Sequence, residues 1–159
     1  MEELIKQAHR LLLKRGKTIA VAESCTGGIL SEFLTRNSGS SKYFLLGVIA
    51  YSNKSKHKIL KIPFKIINRR GAASKETVEA MADSVKKLAA ADIGIGITGI
   101  AGPTGATFNK PVGTVFIAVS GKGRKICKKF YFKATRTSVR KAAGREALKL
   151  IIKILSFTL

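Results

Sequence analysis

The chain has 159 residues and 45% of them are hydrophobic, enough for one core and too few for two, so a single domain over residues 1–159 is expected. Lys and Arg number 30 against 9 acids, a formal net charge of +21; such a field favours anionic partners, and it equally suits a basic surface that is merely solvated. The apolar run nearest to a membrane span, LAAADIGIGITGIAG, contains Asp92 and is shorter than the ~20 residues a spanning helix needs, which argues against a membrane segment. Glu2 and Glu3 open an amphipathic pattern rather than an apolar leader, and Cys25 and Cys127 are the two cysteines, so a reducing cytoplasmic setting without a disulfide is expected.

In chain order, EELIKQAHRLLLKRG sets Leu4, Ile5, Ala8, Leu11 and Leu12 on one helical face, with Gly16 as the stop. TIAVAE reads as a buried strand, and ILSEFLTR returns to helical spacing, which puts SCTGG at a strand-to-helix turn. FLLGVIAY (44–51) is a second strand, and the Lys-rich SNKSKHKILK predicts a short helix ending near Pro63. Ser74 is placed to cap a helix over 75–90, with Val78, Met81, Ala82, Val85 and either Leu88 or Ala89 facing inward. ADIGIGIT is a third buried strand, leading into the Gly/Pro-rich loop GIAGPTGATFNKPVG. GTVFIAVS and KICKKFYF predict two strands joined at Gly121-Lys122-Gly123, and a helix over 138–155 turns Val139, Ala143, Ala147, Leu150, Ile151 and Ile154 inward. The order implies a three-layer α/β/α sandwich with a mixed, mostly parallel sheet of about five strands. Ligands of such sheets gather at the carboxyl ends of strands, here Ser24, Tyr51 and Thr98.

Ser24, Cys25 and Thr26 are adjacent candidate nucleophiles. Gly27 and Gly28 would let an anion approach the backbone, or simply permit a tight turn capped by Ser24 or Thr26. A serine needs a base, and neither His9, in the polar half of the first helix, nor His57, in a Lys cluster without a carboxylate, suits a Ser-His-Asp triad. Lys54, Lys56 and Lys58 follow the second strand, and a lysine crowded by cations and desolvated can act as a base, with Tyr51 able to relay a proton. Spacing alone leaves each of these lysines as an ordinary surface charge. A helix start would lower the pKa of Cys25, whose side chain is expected to point away from that of Ser24. Glu23 is expected either to orient Lys56 or to balance nearby lysines.

VAESCTGG, GVIAYSNKSKHKIL, GAASKETVEAMA and ITGIAGPTG followed by NKPVGTVFIAV together resemble the C-terminal domain of the competence/damage-inducible CinA family, a domain that also occurs as free-standing nicotinamide mononucleotide deamidases. The likeness runs in order from about residue 3 to 155. It implies an α/β/α sandwich with a five-stranded mixed sheet, often dimeric. It also implies hydrolysis of nicotinamide mononucleotide to nicotinic acid mononucleotide and ammonia, without a metal or other cofactor. By the same resemblance Ser24 is the nucleophile, Tyr51 and Lys56 carry the AYSN..K motif, and Thr98 is the TGIAGP threonine. Arg136 or Arg140 supplies an expected arginine, because KATRTSVR lacks the Gly-Asp that commonly precedes it. The turn residues Thr26, Gly27 and Gly28, with Gly99, Ala101 and Gly102 of the loop, are the expected substrate contacts, and Thr104 and Phe108 depart from a richer glycine run. The N-terminal domain of full-length members has no counterpart here, so no pyrophosphatase activity is expected. Two rival readings stand beside the enzyme: a non-catalytic nucleotide-binding module, and a basic nucleic-acid-binding protein, which lacks any recognisable motif for that role.

Overall fold

The computed structural model describes residues 1–156. Its five strands are β1 (Ile19–Glu23), β2 (Phe44–Ile49), β3 (Ile93–Gly99), β4 (Thr114–Gly121) and β5 (Arg124–Tyr131), and the sheet order is β2-β1-β3-β4-β5. β1 pairs in parallel with both β2 and β3, whereas β4 is antiparallel to β3 and β5. Four strands therefore share one direction, and the expected mixed, mostly parallel sheet is the one observed.

Helices cover both faces, as the alternation of elements requires. α1 (Glu2–Arg15), α2 (Ile29–Thr35) and α6 (Arg136–Ser156) pack on one side, where Ile5, Leu12, Leu30, Phe33, Ala147 and Ile151 close over Val21, Ile95 and Ile117. α3 (Asn53–Lys58), α4 (Phe64–Arg70) and α5 (Lys75–Leu88) cover the other, where Leu60, Ile62, Ile67, Met81 and Val85 meet Ala20 and Ala22. Burying both faces of β1 and β3 explains their unbroken apolar character. α5 lies directly on β3: a Cβ at Gly94 would stand 2.1 Å from Ala82 O, and one at Gly96 2.4 Å from Val78 O, so only glycine permits this approach.

Beyond shifts of one or two residues at element ends, two features differ from the sequence reading and one open alternative is decided. Pro63 begins a helix as well as ending a segment: its fixed φ suits the position before the first turn of α4, a helix absent from the sequence reading. The β4–β5 ladder continues to the pair Gly121 and Arg124, so the hairpin turn is the dipeptide Lys122-Gly123, with Gly123 at φ 68°. Of the two inward candidates at the end of α5, Leu88 is exposed and Ala89 packs against the core. Among the described residues no helix is long and apolar enough to cross a membrane.

Candidate active site

β1 ends on Glu23, and Ser24 continues its line, donating its backbone N–H to Ile97 O of β3 at 2.9 Å. β2 leads through Ala50 and Tyr51 to Ser52, whose side chain caps α3 in a reciprocal pair with Ser55. That cap fixes the rotation of a helix of six residues, and Lys56 is the residue α3 buries. Its ammonium end reaches Ser24 Oγ at 2.9 Å, Ala50 O at 2.9 Å and Tyr51 O at 3.3 Å.

These three partners define a proton arrangement. Carbonyl oxygens only accept, so the contacts with Ala50 and Tyr51 consume two N–H groups. A neutral amine has two N–H groups and one lone pair, and the lone pair is then left facing the Ser24 hydroxyl. Lys56 is 1% exposed, and this burial pulls its pKa from 10.5 down to about 8. Crowding by Lys54 and Lys58, expected from the sequence to contribute, is not the cause: both are exposed to solvent.

Two neighbours behave otherwise than expected. Cys25 lines the same cavity as Ser24 instead of turning away, and burial pushes its thiol from 9.0 up to about 12, which overrides the expected lowering by the turn. Its thiolate is thus scarce at neutral pH. Glu23 neither orients Lys56 nor meets surface lysines. Its carboxylate accepts the backbone N–H groups of Gly28, Leu30 and Ser31 and the Ser31 hydroxyl, at 2.7–3.2 Å. It therefore caps α2, whose N-cap residue is Gly28 rather than Ser24 or Thr26. A helix start that could have received an external anion is already filled by an internal one.

The pair opens on a cavity of about 370 Å³, a size suited to a small ligand. Ser24, Tyr51, Lys56, Thr98, Gly99, Ala101, Gly102 and Arg136 all line it. Thr26, Gly27, Gly28 and Arg140 do not: Arg140 grips Thr26 O with Nε and Nη2 at 3.1 and 2.8 Å, supporting the turn from behind. Of the two arginines, Arg136 is the one that lines the cavity, and it donates to Gly102 O at 2.7 Å and to the Tyr51 hydroxyl at 2.6 Å. Tyr51 is half exposed and its hydroxyl stands at the rim with Arg136, so it does not bridge Lys56 and Ser24, which touch directly. Thr98 gives its hydroxyl hydrogen to Ala72 O at 2.9 Å and so offers the cavity acceptor lone pairs only.

Sequence reasoning singles out neither Asn53, nor Gly71, Ala72 and Ala73, nor, within the loop after Thr98, Thr107 and Lys110, all of which line the cavity. GAAS and NKPVG stood out as motifs, but nothing in their spacing revealed that they face one another. The charged side chains around the cavity are Lys56, Lys110 and Arg136, with no Asp or Glu. His9 bonds Tyr43 and His57 meets Ile62 O, each away from Ser24. Among the described residues no group of His, Cys, Asp and Glu could hold a metal ion.

Fold and site together define a three-layer α/β/α protein with a strand-end pocket built around a buried serine–lysine pair. Comparisons with known proteins give that class a family. The family model for the CinA C-terminal domain matches residues 1–155, and the chain belongs to that family. A CinA-like protein of Desulfotalea psychrophila is 43% identical over 155 residues, covering 98% of this chain and 37% of its own length. One from Endomicrobium trichonymphae is 45% identical over 150 residues, covering 94% and 35%. The chain thus spans a little over a third of the length of these curated relatives. Among solved structures, competence damage-inducible protein A (ComA) from Klebsiella pneumoniae superposes with a TM-score of 0.95 at 31% identity, covering 99% of this chain and 98% of that one. The competence/damage inducible protein CihA from Agrobacterium tumefaciens gives 0.93 at 32%, covering 98% and 94%.

Proposed function

We propose that the chain hydrolyses the carboxamide of nicotinamide mononucleotide to nicotinic acid mononucleotide and ammonia, with Ser24 as nucleophile and Lys56 as base. The observation that carries this reading is the 2.9 Å contact between Lys56 Nζ and Ser24 Oγ, in which the lysine is buried and its other two partners are carbonyl acceptors. The identity of the substrate rests on the family resemblance and on a cavity whose charged side chains are all cationic.

In this mechanism the Lys56 lone pair takes the Ser24 hydroxyl proton as Oγ bonds to the carboxamide carbon. Cys25, the one residue of the turn after Ser24 that lines the cavity, offers its backbone amide to the developing oxyanion. The carbon–nitrogen bond breaks, Lys56 returns its proton to the leaving nitrogen, and ammonia departs from an acyl-Ser24 ester. Water, deprotonated by Lys56, then cleaves the ester; the proton returns to Oγ and the carboxylate product leaves. A module that only bound nucleotide would gain nothing from burying its lysine against a serine, since a solvated cation attracts phosphate without the desolvation cost.

Ammonia release by the purified protein supplied with nicotinamide mononucleotide tests the reading. Ser24→Ala is expected to lose on the order of a thousandfold or more of rate, as nucleophile removal does, while Cys25→Ala stays active. Full activity in Ser24→Ala, or no ammonia from the parent protein, refutes it.

A further inference from the structure

The Lys56 base works only while neutral, and this restricts where an anionic substrate can carry its charge. A phosphate near Lys56 would favour the ammonium form and remove the base. The phosphate therefore needs a cation of its own, remote from the reactive end. Arg136 does not stand apart in this way: its charge acts on the Cys25 thiol, next to the nucleophile, and its guanidinium already ties Gly102 O to the Tyr51 hydroxyl.

Lys110 is the remaining charged side chain of the cavity. It comes from the loop between β3 and β4 and leans on the wall that precedes α5. Its ammonium donates to Arg70 O at 2.7 Å, which spends one of three N–H groups and leaves two for a ligand. Gly71 makes room for it: a Cβ there would lie 3.2 Å from Lys110 Nζ, and Gly71 has φ +86°, a conformation that side-chain-bearing residues rarely adopt. A carbonyl tether and a missing side chain together hold this cation at the pocket wall. Thr107 and Lys110 exchange backbone hydrogen bonds at 3.0 and 3.1 Å, which ties down the loop that bears it.

We infer that Lys110 is the residue that reads the 5′-phosphate, so that the pocket prefers a nucleoside monophosphate to the corresponding nucleoside. This rests on the deamidase reading for the identity of the ligand, but its test does not depend on turnover. Calorimetric titration of Ser24→Ala protein, in which hydrolysis is blocked, compares nicotinamide mononucleotide with nicotinamide riboside. Adding Lys110→Met is expected to shrink the preference for the phosphorylated ligand about 10- to 100-fold, the loss of a charge-assisted hydrogen bond, and Lys110→Arg should restore part of it. Lys141→Met, removing an exposed cation of α6, controls for the general field and should leave the preference within about twofold. In the catalytically intact chain, most of the Lys110→Met deficit on the mononucleotide should appear in KM.

An unchanged preference in Lys110→Met overturns the assignment, even where the parent protein releases ammonia. Loss of preference without any ammonia release supports Lys110 while refuting the deamidase reading. No binding of the mononucleotide to the parent protein overturns both.

Discussion

Replacing Lys56 by methionine should change the dependence of stability on pH, by an amount the structure sets. Lys56 is 1% exposed, and its pKa falls from 10.5 in the unfolded chain to about 8 in the fold. Between those two values the unfolded chain holds a proton that the folded chain has lost, so the stability of the parent rises with pH across this window. Above the unfolded value the burial penalty is absent; as pH falls through the folded value it is felt in full. The interval corresponds to about 3 kcal/mol, or roughly 6–12 °C in Tm for a chain of this size. Methionine fills similar space with no proton to bind, so this pH-dependent contribution disappears. It also leaves Ala50 O and Tyr51 O without their donor and the Ser24 hydroxyl without its partner, an offset that does not vary with pH. Urea unfolding of both proteins at pH 7 and pH 10 isolates the effect: the stability difference, variant minus parent, should fall by about 2–3 kcal/mol between the two. Parallel pH profiles, within about 0.5 kcal/mol, would refute a depressed lysine and with it the neutral base.

The same lysine should govern rate. kcat/KM is expected to rise through a limb near pH 8, the value of the free enzyme's base, and Lys56→Arg should be nearly inactive because a guanidinium does not release its proton, while exposed Lys54→Arg stays close to the parent; near-normal turnover in Lys56→Arg would reduce the residue to a cationic contact. Glu23→Gln should cost about 2–3 kcal/mol in denaturant titration, since replacing a carboxylate oxygen by an amide leaves at least one donor of the α2 start unmatched; a cost below about 0.5 kcal/mol would show that the cap is dispensable.

How far the site could be read in advance depended on the kind of signal each residue carries. Ser24 was visible because a strand, a turn and a helix each leave a local pattern, and three apolar strands with intervening helices dictate the layers. Lys56 was separable from Lys54 and Lys58 only through the family motif. Alternate lysines in a six-residue helix have no periodicity to distinguish them, and the one turned inward is decided by the Ser52 cap and the descent of β2. Glu23 is not legible in the sequence because a central strand buried on both faces gives an acid no polar side; its partners are amides five to eight residues later, a relation that composition does not encode. Lys110 lies in an aperiodic loop, and its meeting with Arg70 and Gly71 is a product of the β3–β4 excursion reaching the end of α4. α4 escapes the sequence reading for a simpler reason: Pro63 signals a stop, and its geometry equally serves a start.

The two hydrogens that stand in place of side chains at Gly94 and Gly96 act as a gauge for the pocket. They let α5 settle onto β3, and the residues just ahead of that helix, Gly71 to Ala73, form one wall of the cavity while Thr98 at the end of β3 belongs to the other and bonds Ala72. The gap available to a ligand is thus set by how closely a helix can approach a strand at two glycines that do not themselves line the cavity. A single methyl at either glycine would lift the helix and carry the wall outward, widening the slot without touching a residue that lines it. The size of ligand this fold admits is accordingly open to adjustment from inside the core, at positions that no inspection of the cavity would nominate.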